Sequence, residues 1–323
     1  MMQVIRIHEH GGPDVLCLEE AEIPRPGRGE ILIRHEAIGL NFIDTYHRSG
    51  LYPLPLPFTP GLEAAGVVEE VGEGVTHLKA GERVAYGTGP VGAYAQYRTI
   101  AAGRVARLPD EIGFETAAAM MLKGLTAWYL LRETYRVRAG QTIVFLPAAG
   151  GVGLIAGQWA KALGARVIGV CSPAKRDIAL AHGYAEVIDY SVQDMAKEVR
   201  ALTGGAGVPV VYDGVGAATF LPSLDCLSPR GLLVSFGNAS GPVKNADLND
   251  LASRGSLYVT RPILMDYVRG DAQLARASEE LFGMVASGKV KITINQRYPL
   301  AQAARAHADL QARKTTGQTI LIP

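Results

Sequence analysis

The sequence predicts an α/β protein in which a β-rich region is joined to a doubly wound parallel sheet. From Thr142 onward, short β-branched runs alternate with helix-length segments, which is typical of a parallel sheet covered by helices on both faces. Before about residue 123 the chain instead contains strand-like runs separated by closely spaced glycines. With 323 residues, the chain is long enough for two domains.

The expected elements follow in a regular order. The N-terminal region has strand-like content in "EILIRHEAIGL" and "GVVEEVGEGV". Ser172 as N-cap and Pro173 as first helical residue predict a helix that ends before Gly183. The charge-free stretch from Ala139 to Ala160 contains Pro147 and several glycines, which predicts strand, turn and helix rather than a membrane span. The predicted strands of the second region are Thr142–Leu146, Arg166–Cys171, Glu186–Asp189, Val210–Asp213, Leu232–Phe236 and Ser256–Thr260, and the predicted helices are Val152–Leu163, Asp271–Ser287 and Leu300–Arg313, before a terminal strand "QTILIP".

Composition excludes several classes of function. The formal net charge is +1, so no broad basic field favours nucleic acid or an anionic membrane surface. The N-terminus lacks the apolar segment of a signal peptide. Cys17, Cys171 and Cys226 are far apart and form no CxxC pair, which is typical of a reducing compartment. We therefore expect a cytoplasmic protein.

A glycine cluster between the first predicted strand and helix of the second region predicts a dinucleotide site. The segment from Gly151 to Ala156 matches GxGxxA, and the segment from Ala148 to Gly153 matches AxGxxG. Either register places backbone N–H groups and a helix N-terminus beneath a pyrophosphate. The alternative is a tight turn without a ligand. The predicted cofactor contacts in this cluster are Ala149, Gly150, Gly151, Val152 and Gly153.

The residues after the second predicted strand favour NADPH over NADH. An acidic residue at this point would bind the ribose 2′-hydroxyl of NAD. The sequence instead has Ser172, Lys175 and Arg176 after Cys171, and cations with hydroxyl donors suit a 2′-phosphate. The alternative is that these are solvated charges on the first turn of a helix.

Six segments give the chain a family resemblance: "GGPDVL", "NFIDTYHRSGLYP", "PGLEAAGVVEEVGEGV", "AAGGVGLIAGQWAKALGA", "VVYDGVG" and "LVSFGNASGPV". Together they resemble the zinc-independent quinone oxidoreductases of the medium-chain dehydrogenase/reductase superfamily, zeta-crystallin among them. The resemblance covers essentially the whole chain. It implies a GroES-like catalytic domain formed by residues 1–123 and 262–323, with a Rossmann NADP-binding domain, residues 124–261, inserted between.

Zinc-dependent members of the same superfamily provide a contrast. Asn41 stands where they carry a cysteine ligand, and Gly61-Leu62-Glu63 stands where they carry Gly-His-Glu. The four-cysteine zinc lobe is absent, so we expect no metal. Glu63 is interpreted as structural. The seven histidines are interpreted as surface or packing residues: His8, His10, His35, His47, His77, His182 and His307.

The resemblance also implies the site residues. Asn41, Tyr46 and Tyr52 are expected to donate hydrogen bonds near the nicotinamide, where negative charge develops on a quinone oxygen, and Asp44 is expected to orient a neighbour or the carboxamide. For the two tyrosines the alternative is an ordinary half-buried aromatic, and for Arg313 it is a solvated charge at a helix end. The further cofactor contacts implied are Asn41, Thr126, Ser172, Lys175, Tyr190, Gly216, Phe236, Gly237, Asn238, Ser240 and Arg313.

These expectations favour an NADPH-dependent quinone reductase. Two alternatives stay open: a reductase of α,β-unsaturated carbonyls, and a non-catalytic crystallin-like or RNA-binding protein. We also expect a homodimer formed through the strand Ser256–Thr260, which lacks the lysines and prolines that protect an edge. Leu257 and Val259 alternate with polar neighbours and are expected to bury one face of that strand. The alternative is an edge covered within one chain.

Overall fold

The structure, a computed structural model, describes all of residues 1–323. The helix Phe114–Tyr129 continues into a π-helical turn, Leu130–Thr134. The strands in chain order are β1 (Met2–Arg6), β2 (Cys17–Ala21), β3 (Glu30–Gly39), β4 (Glu63–Val71), β5 (Arg83–Tyr86), β6 (Tyr97–Ala101), β7 (Ala106–Arg107), β8 (Thr142–Leu146), β9 (Arg166–Cys171), β10 (Glu186–Asp189), β11 (Val208–Asp213), β12 (Leu227–Ser235), β13 (Tyr258–Thr260), β14 (Ile294–Pro299) and β15 (Gln318–Ile322). The α-helices are α1 (Phe42–Ser49), α2 (Phe114–Tyr129), α3 (Gly151–Ala162), α4 (Arg176–Ala181), α5 (Met195–Leu202), α6 (Phe220–Asp225), α7 (Leu248–Ser253), α8 (Leu264–Tyr267), α9 (Asp271–Ala286) and α10 (Ala303–Gln311).

The chain forms two compact units. Unit 1 contains Met1–Leu125, Val268–Ala286 and Ile292–Pro323, and unit 2 contains Thr126–Tyr267 and Ser287–Lys291. Each unit has its own buried apolar cluster. The limits of the two functional domains, as given by the sequence analysis, stay a prediction.

Unit 2 is built on a six-stranded parallel sheet. The strand order is β10-β9-β8-β11-β12-β13, which is the Rossmann arrangement and confirms the predicted fold class. The bounds of β8, β9 and β10 agree with the prediction to the residue. Their side chains are buried almost without interruption, because helices cover both faces of the sheet. Parallel strands of this kind carry continuous apolar runs, which is why the sequence analysis located them.

The charge-free stretch forms β8 and α3, as predicted. None of the helices combines the length and the apolar character needed to cross a bilayer.

Several predicted boundaries are wrong. β11 and β12 begin at Val208 and Leu227, earlier than the predicted Val210 and Leu232. Ser172 occupies an N-cap position, but its side chain makes no capping bond, and Pro173–Lys175 forms a 3₁₀ turn before α4 begins. The predicted helix Leu300–Arg313 begins as a 3₁₀ turn, Leu300–Gln302, and α10 ends at Gln311.

The predicted strand Ser256–Thr260 is shorter than expected. Ser256 has a positive φ of 57°, which is incompatible with strand geometry, so β13 starts at Tyr258. Leu257 is buried, but Val259 is 39 % exposed, so the prediction that both bury one face is wrong. The strand does form one edge of the sheet.

Unit 1 contains a seven-stranded sheet with the order β14-β15-β3-β4-β5-β7, and β6 pairs with β3. The long strand β3 organises it, because β4, β6 and β15 all pair with it in antiparallel fashion. The C-terminal strand β15 therefore packs beside the end of β3, where Leu321 pairs with Ile38 and Ile320 with Gly39. Leu40 and Asn41 follow Gly39 and lead into α1, and the predicted catalytic residues lie in this helix and directly beside its ends.

Candidate active site and cofactor site

Glu63 is the centre of a buried polar cluster in unit 1. It is the first residue of β4, and its carboxylate accepts three hydrogen bonds: from Asn41 Nδ2 at 2.8 Å, from Lys123 Nζ at 2.9 Å and from the Leu122 backbone N–H at 2.8 Å. The ammonium group of Lys123 balances the buried charge. Gly39 must lack a side chain, because a Cβ there would lie 2.2 Å from Glu63 Oε2. The interpretation of Glu63 as a structural residue is consistent with these contacts.

Asn41 precedes α1 and has one donor already engaged. Its Nδ2 donates to Glu63, so only its second amide hydrogen can serve a bound molecule. Its backbone N–H donates to Asp44 Oδ2 at 2.9 Å, which is one half of a capping box.

Asp44 is fully buried in the first turn of α1. Its Oδ2 accepts from the Asn41 N–H and from the Tyr94 hydroxyl, both at 2.9 Å. Burial raises the pKa of Asp44 to about 7, against the lowering effect of the hydrogen bonds from Asn41 and Tyr94 and of the charge on Lys123. Its Oδ1 is buried and has no hydrogen-bond partner. Asp44 thus holds the Asn41 N–H and the Tyr94 hydroxyl by hydrogen bonds, and its pKa near 7 means that its protonation changes near neutral pH. Its role at a bound cofactor or substrate stays a prediction.

The predicted tyrosines form an aromatic cluster on α1 and the following turn. The ring of Tyr46 lies 5.5 Å from that of Phe42 and 5.2 Å from that of Tyr52, both edge-on. The Tyr52 N–H donates to the Tyr46 carbonyl at 3.2 Å and holds the turn against the helix. Both tyrosines are half-buried. Their contact with a substrate stays a prediction.

Sequence reasoning missed four residues of this region: Lys123, Tyr94, Arg48 and His307. His307 was interpreted as a surface or packing residue, yet it is fully buried and hydrogen-bonded at both ring nitrogens. No local pattern could have found it, since its partners are Arg48 and Tyr94, more than 200 positions earlier in the chain.

In unit 2, the predicted cofactor residues follow the carboxyl ends of five parallel strands. The carboxyl ends of parallel strands meet at one edge of a sheet, where ligands bind in doubly wound folds. The residues concerned are Ala149, Gly150, Gly151, Val152 and Gly153 after β8, Ser172 and Lys175 after β9, Tyr190 after β10, Gly216 after β11, and Phe236, Gly237, Asn238 and Ser240 after β12.

The start of α3 fits a pyrophosphate. Gly150 is the N-cap residue, in an extended conformation and without a side-chain cap, and no acidic residue lies in the first turn. The backbone N–H groups and the positive end of the helix dipole therefore favour an anion. Gly153 has a different role, because a Cβ on it would lie 2.2 Å from the Pro147 carbonyl oxygen. It allows close packing of the helix on the loop, and its contact with a phosphate stays a prediction.

The neighbouring ends of β9 and β10 fit a 2′-phosphate. Cys171 pairs with Asp189, so Ser172 and Tyr190 each follow a paired strand end. Burial and then Asp189 raise the pKa of the Cys171 thiol, whereas Lys175 and Arg176 lower it, so both cations act at this point of the edge.

Two nearby charged groups are already engaged. Asp189 accepts hydrogen bonds from the Ser191 N–H and hydroxyl, at 2.9 and 2.6 Å, and Arg176 Nη1 donates to the Val187 carbonyl at 2.7 Å. Arg176 is thus directed at least in part toward the Val187 carbonyl, and contact of Lys175 with a phosphate stays a prediction.

The loops after β11 and β12 are held together by a buried aspartate. Asp213 accepts from the Val215 and Gly216 N–H groups and from two hydroxyl groups. Gly216 has a φ of +94°, and a Cβ on Gly237 would lie 2.3 Å from the Gly214 carbonyl oxygen. These glycines are required by the close approach of the two loops.

The other predicted cofactor residues lie in different places. Phe236 packs on Phe145 at 5.4 Å, and the Ser240 hydroxyl donates to the Val215 carbonyl at 2.9 Å. Asn238 and Thr126 are buried in unit 2. Asn41 and Arg313 belong to unit 1, and Arg313 is an exposed residue with a φ of +59° after α10. Contact of these residues with a cofactor stays a prediction.

Comparisons with known proteins decide the family. A family model described as zinc-binding dehydrogenase matches residues 151–277, and one described as alcohol dehydrogenase GroES-like domain matches residues 27–110. A quinone oxidoreductase of Pseudomonas aeruginosa is 55 % identical over 325 residues, and the match covers 100 % of both chains. The chain belongs to the quinone oxidoreductase family.

Two further relatives bear on the chemistry of this quinone oxidoreductase family member. The crystal structure of Escherichia coli quinone oxidoreductase complexed with NADPH has a TM-score of 0.98 and 50 % sequence identity, covering 99 % of this chain and 100 % of that one. A 2-haloacrylate reductase of Burkholderia is 43 % identical over 334 residues, covering 100 % of this chain and 99 % of that one.

The matching family model is described as zinc-binding, but the residues here are not arranged as a zinc site. No group of three or more His, Cys, Asp or Glu side chains is placed to hold a metal ion. Asn41, which stands where the resemblance places the cysteine ligand of zinc-dependent members, donates a hydrogen bond to Glu63. Independence from metal stays a prediction.

Proposed function

We propose that this protein is an NADPH-dependent quinone reductase. The observation that carries the proposal is the arrangement at the sheet edge of unit 2, where an uncapped helix N-terminus is followed by Ser172, Lys175 and Tyr190 at adjacent strand ends. The relative from Escherichia coli, described as a complex with NADPH, supports this cofactor.

Each part of the chain has a defined role in this proposal. Bound NADPH supplies a hydride to the substrate. The first turn of α3 holds the pyrophosphate, and Lys175 with Ser172 and Tyr190 holds the 2′-phosphate. The second amide hydrogen of Asn41 and the hydroxyl groups of Tyr46 and Tyr52 donate hydrogen bonds to the substrate oxygen on which negative charge develops. A quinone accepts hydride readily, so positioning and hydrogen bonding are sufficient without a metal.

The cofactor assignment is tested with Lys175→Ala. A hydrogen bond to a charged group contributes roughly 1.5–3 kcal/mol, so the KM for NADPH should rise about 10- to 150-fold. The KM for NADH should stay within about 2-fold, because NADH lacks the phosphate. Lys161→Ala, at the other end of α3, is the matched control and should leave both constants unchanged. Equal effects of Lys175→Ala on both cofactors would contradict the assignment.

A second candidate function is the reduction of α,β-unsaturated carbonyl compounds. The 2-haloacrylate reductase relative supports it, since a 2-haloacrylate is an electron-poor alkene. Steady-state rates with a panel of quinones and enones, all with NADPH, separate the two functions by kcat/KM. Elemental analysis of the active protein, together with chelation, tests independence from zinc.

We also propose a cytoplasmic homodimer. Three free cysteines support a reducing compartment. The exposed side chains of Tyr258 and Val259 on the edge strand β13 support pairing with a second copy, whose backbone groups would continue the sheet. Tyr258→Pro should weaken association in light scattering, and a monomeric wild-type protein at micromolar concentration would refute the dimer.

A further inference from the structure

A buried run of hydrogen bonds in unit 1 joins the C-terminal helix α10 to the first turn of α1. We call it the Arg48–Asp44 chain; it consists of Arg48, His307, Tyr94 and Asp44. Arg48 Nη1 lies 3.2 Å from His307 Nδ1, His307 Nε2 lies 3.0 Å from the Tyr94 hydroxyl, and that hydroxyl lies 2.9 Å from Asp44 Oδ2. All four residues are at most 2 % exposed.

The direction of every bond in this chain is determined by Arg48. A guanidinium N–H can only donate, so His307 Nδ1 must accept. A neutral imidazole then carries its hydrogen on Nε2, which donates to the oxygen of Tyr94. The hydroxyl hydrogen of Tyr94 is left for Asp44. Burial, and then the charge on Arg48, lower the pKa of His307 to about 3, so the ring is neutral at physiological pH.

Arg48 is itself held at two other points. Its Nε donates to the Gly11 carbonyl at 3.1 Å, and its Nη2 donates to Gln311 Oε1 at 2.9 Å. The chain therefore begins at a fixed group in the last turn of α1, which is hydrogen-bonded to the end of α10.

The other end of the chain holds the predicted catalytic residues. Asp44 Oδ2 receives the Tyr94 hydrogen bond and also that of the Asn41 N–H, and Asn41 in turn donates from its side chain to Glu63. Two donors on Oδ2 and none on Oδ1 give the carboxyl group a single orientation, in which Oδ1 is the atom that carries the proton of the neutral form. Loss of the Tyr94 bond would release Asp44, and with it the backbone of Asn41.

We propose that Tyr94 and His307 are positioning residues for reduction: their hydrogen bonds fix the Asp44 carboxyl group and, through it, the orientation of Asn41. This role rests on the proposed function, because Asn41 acts there as a donor to the substrate. The groups that face Asp44 are the Tyr94 hydroxyl, the Asn41 N–H, the ammonium of Lys123 and the carboxylate of Glu63. Of these donors, Tyr94 is the only one whose hydrogen bond a single isosteric substitution removes without changing a charge.

The test compares Tyr94→Phe with Tyr86→Phe. Tyr86 is a matched control in the same unit, since its hydroxyl also contacts a buried histidine, His35, at 2.9 Å but does not continue to a carboxylate. In Tyr94→Phe we expect amide hydrogen exchange in the first turn of α1 to accelerate on the order of 10-fold, and kcat to fall on the order of 10-fold with the KM for NADPH within about 2-fold.

The pH profile gives a readout that a merely structural role would not move. The Tyr94 hydrogen bond favours the ionised form of Asp44, so its loss should move the inflection of the kcat/KM profile near pH 7 upward by about one unit. His307→Gln, which keeps an N–H donor toward Tyr94, should retain more activity than His307→Leu.

The outcomes separate this inference from the proposed function. Absence of quinone reduction in the wild type would overturn the proposed function, and the hydrogen exchange of α1 would still decide the positioning role. If Tyr94→Phe leaves both α1 exchange and the pH profile as they are in Tyr86→Phe, the inference is wrong. If Tyr94→Phe does not fold, His307→Gln and His307→Leu are compared by the same measurements.

Discussion

Two buried tyrosine–histidine pairs in unit 1 have the same side chains and opposite hydrogen-bond direction. In the first pair, His307 Nδ1 accepts from Arg48, so Nε2 donates to Tyr94. In the second, His35 Nδ1 lies 2.7 Å from the Ala95 carbonyl and must donate to it, so Nε2 accepts from the Tyr86 hydroxyl. Tyr94 can therefore pass a hydrogen bond on to Asp44, whereas the hydrogen of Tyr86 ends at the histidine.

The difference shows that the group bonded to histidine Nδ1, rather than the tyrosine–histidine pair itself, decides whether the tyrosine can donate a hydrogen bond to a further residue. In one case that partner is a guanidinium group, which can only donate, and in the other it is a backbone carbonyl, which can only accept. The guanidinium group can be removed by a single substitution, whereas the backbone carbonyl cannot. The hydrogen-bond direction in the Tyr94–His307 pair thus depends on a replaceable side chain, Arg48.

The largest effect on stability is expected from Asp44, the residue at which the Arg48–Asp44 chain ends. The pKa of Asp44 is raised from 3.8 to about 7, so the neutral form is favoured in the folded state. This contributes stability below pH 3.8 that is lost as the pH rises through about 7. Compared with Asp44→Asn, the wild type should lose up to about 4 kcal/mol of unfolding free energy between pH 4 and pH 8. Urea denaturation of both proteins across this range measures it, and a pH-independent difference would contradict the assignment.

Removal of the Arg48 guanidinium group, which sets the direction of the hydrogen bonds in the Arg48–Asp44 chain, should have the next largest effect on stability. Arg48→Met leaves the Gly11 carbonyl and His307 Nδ1 without donors in a buried region, which should lower the free energy of unfolding by about 3 kcal/mol. Arg83→Met is the control, because Arg83 also donates to two backbone carbonyls in unit 1 but contacts no histidine. Only Arg48→Met should change the ¹⁵N chemical shifts of His307. Unchanged shifts would show that Arg48 does not determine the tautomer.

The smallest effect is spectroscopic and needs no substitution. At pH 7.5, ¹⁵N spectra of labelled histidines should show hydrogen on Nε2 of His307 and on Nδ1 of His35. Burial lowers the pKa of these residues to about 3 and about 4, so neither should titrate between pH 5.5 and 8. Their contribution to stability should be lost as the pH falls below 6.5 toward those values. The same tautomer in both residues would remove the basis of the comparison.

Part of this structure was predictable because its causes are local. The strands β8, β9 and β10 were located to the residue, since parallel strands buried on both faces carry uninterrupted β-branched runs. The glycines and the start of α3 were found for the same reason, as they follow one strand directly. Ser172 shows the limit of such patterns: its type suits an N-cap, but the turn after β9 is 3₁₀, and its side chain makes no capping bond.

The sequence by itself determined the class of fold, the sheet edge at which the predicted cofactor residues lie, and the family, because each depends on short segments with a fixed periodicity or spacing. Only the tertiary structure decided which polar residues of unit 1 act together. Asp44 and His307 are 263 positions apart, and they are linked because β15 pairs with β3 and α10, which directly precedes β15, lies in the same unit. Hydrogen bonds between buried side chains depend on such long-range packing, and they leave no periodic pattern in the sequence.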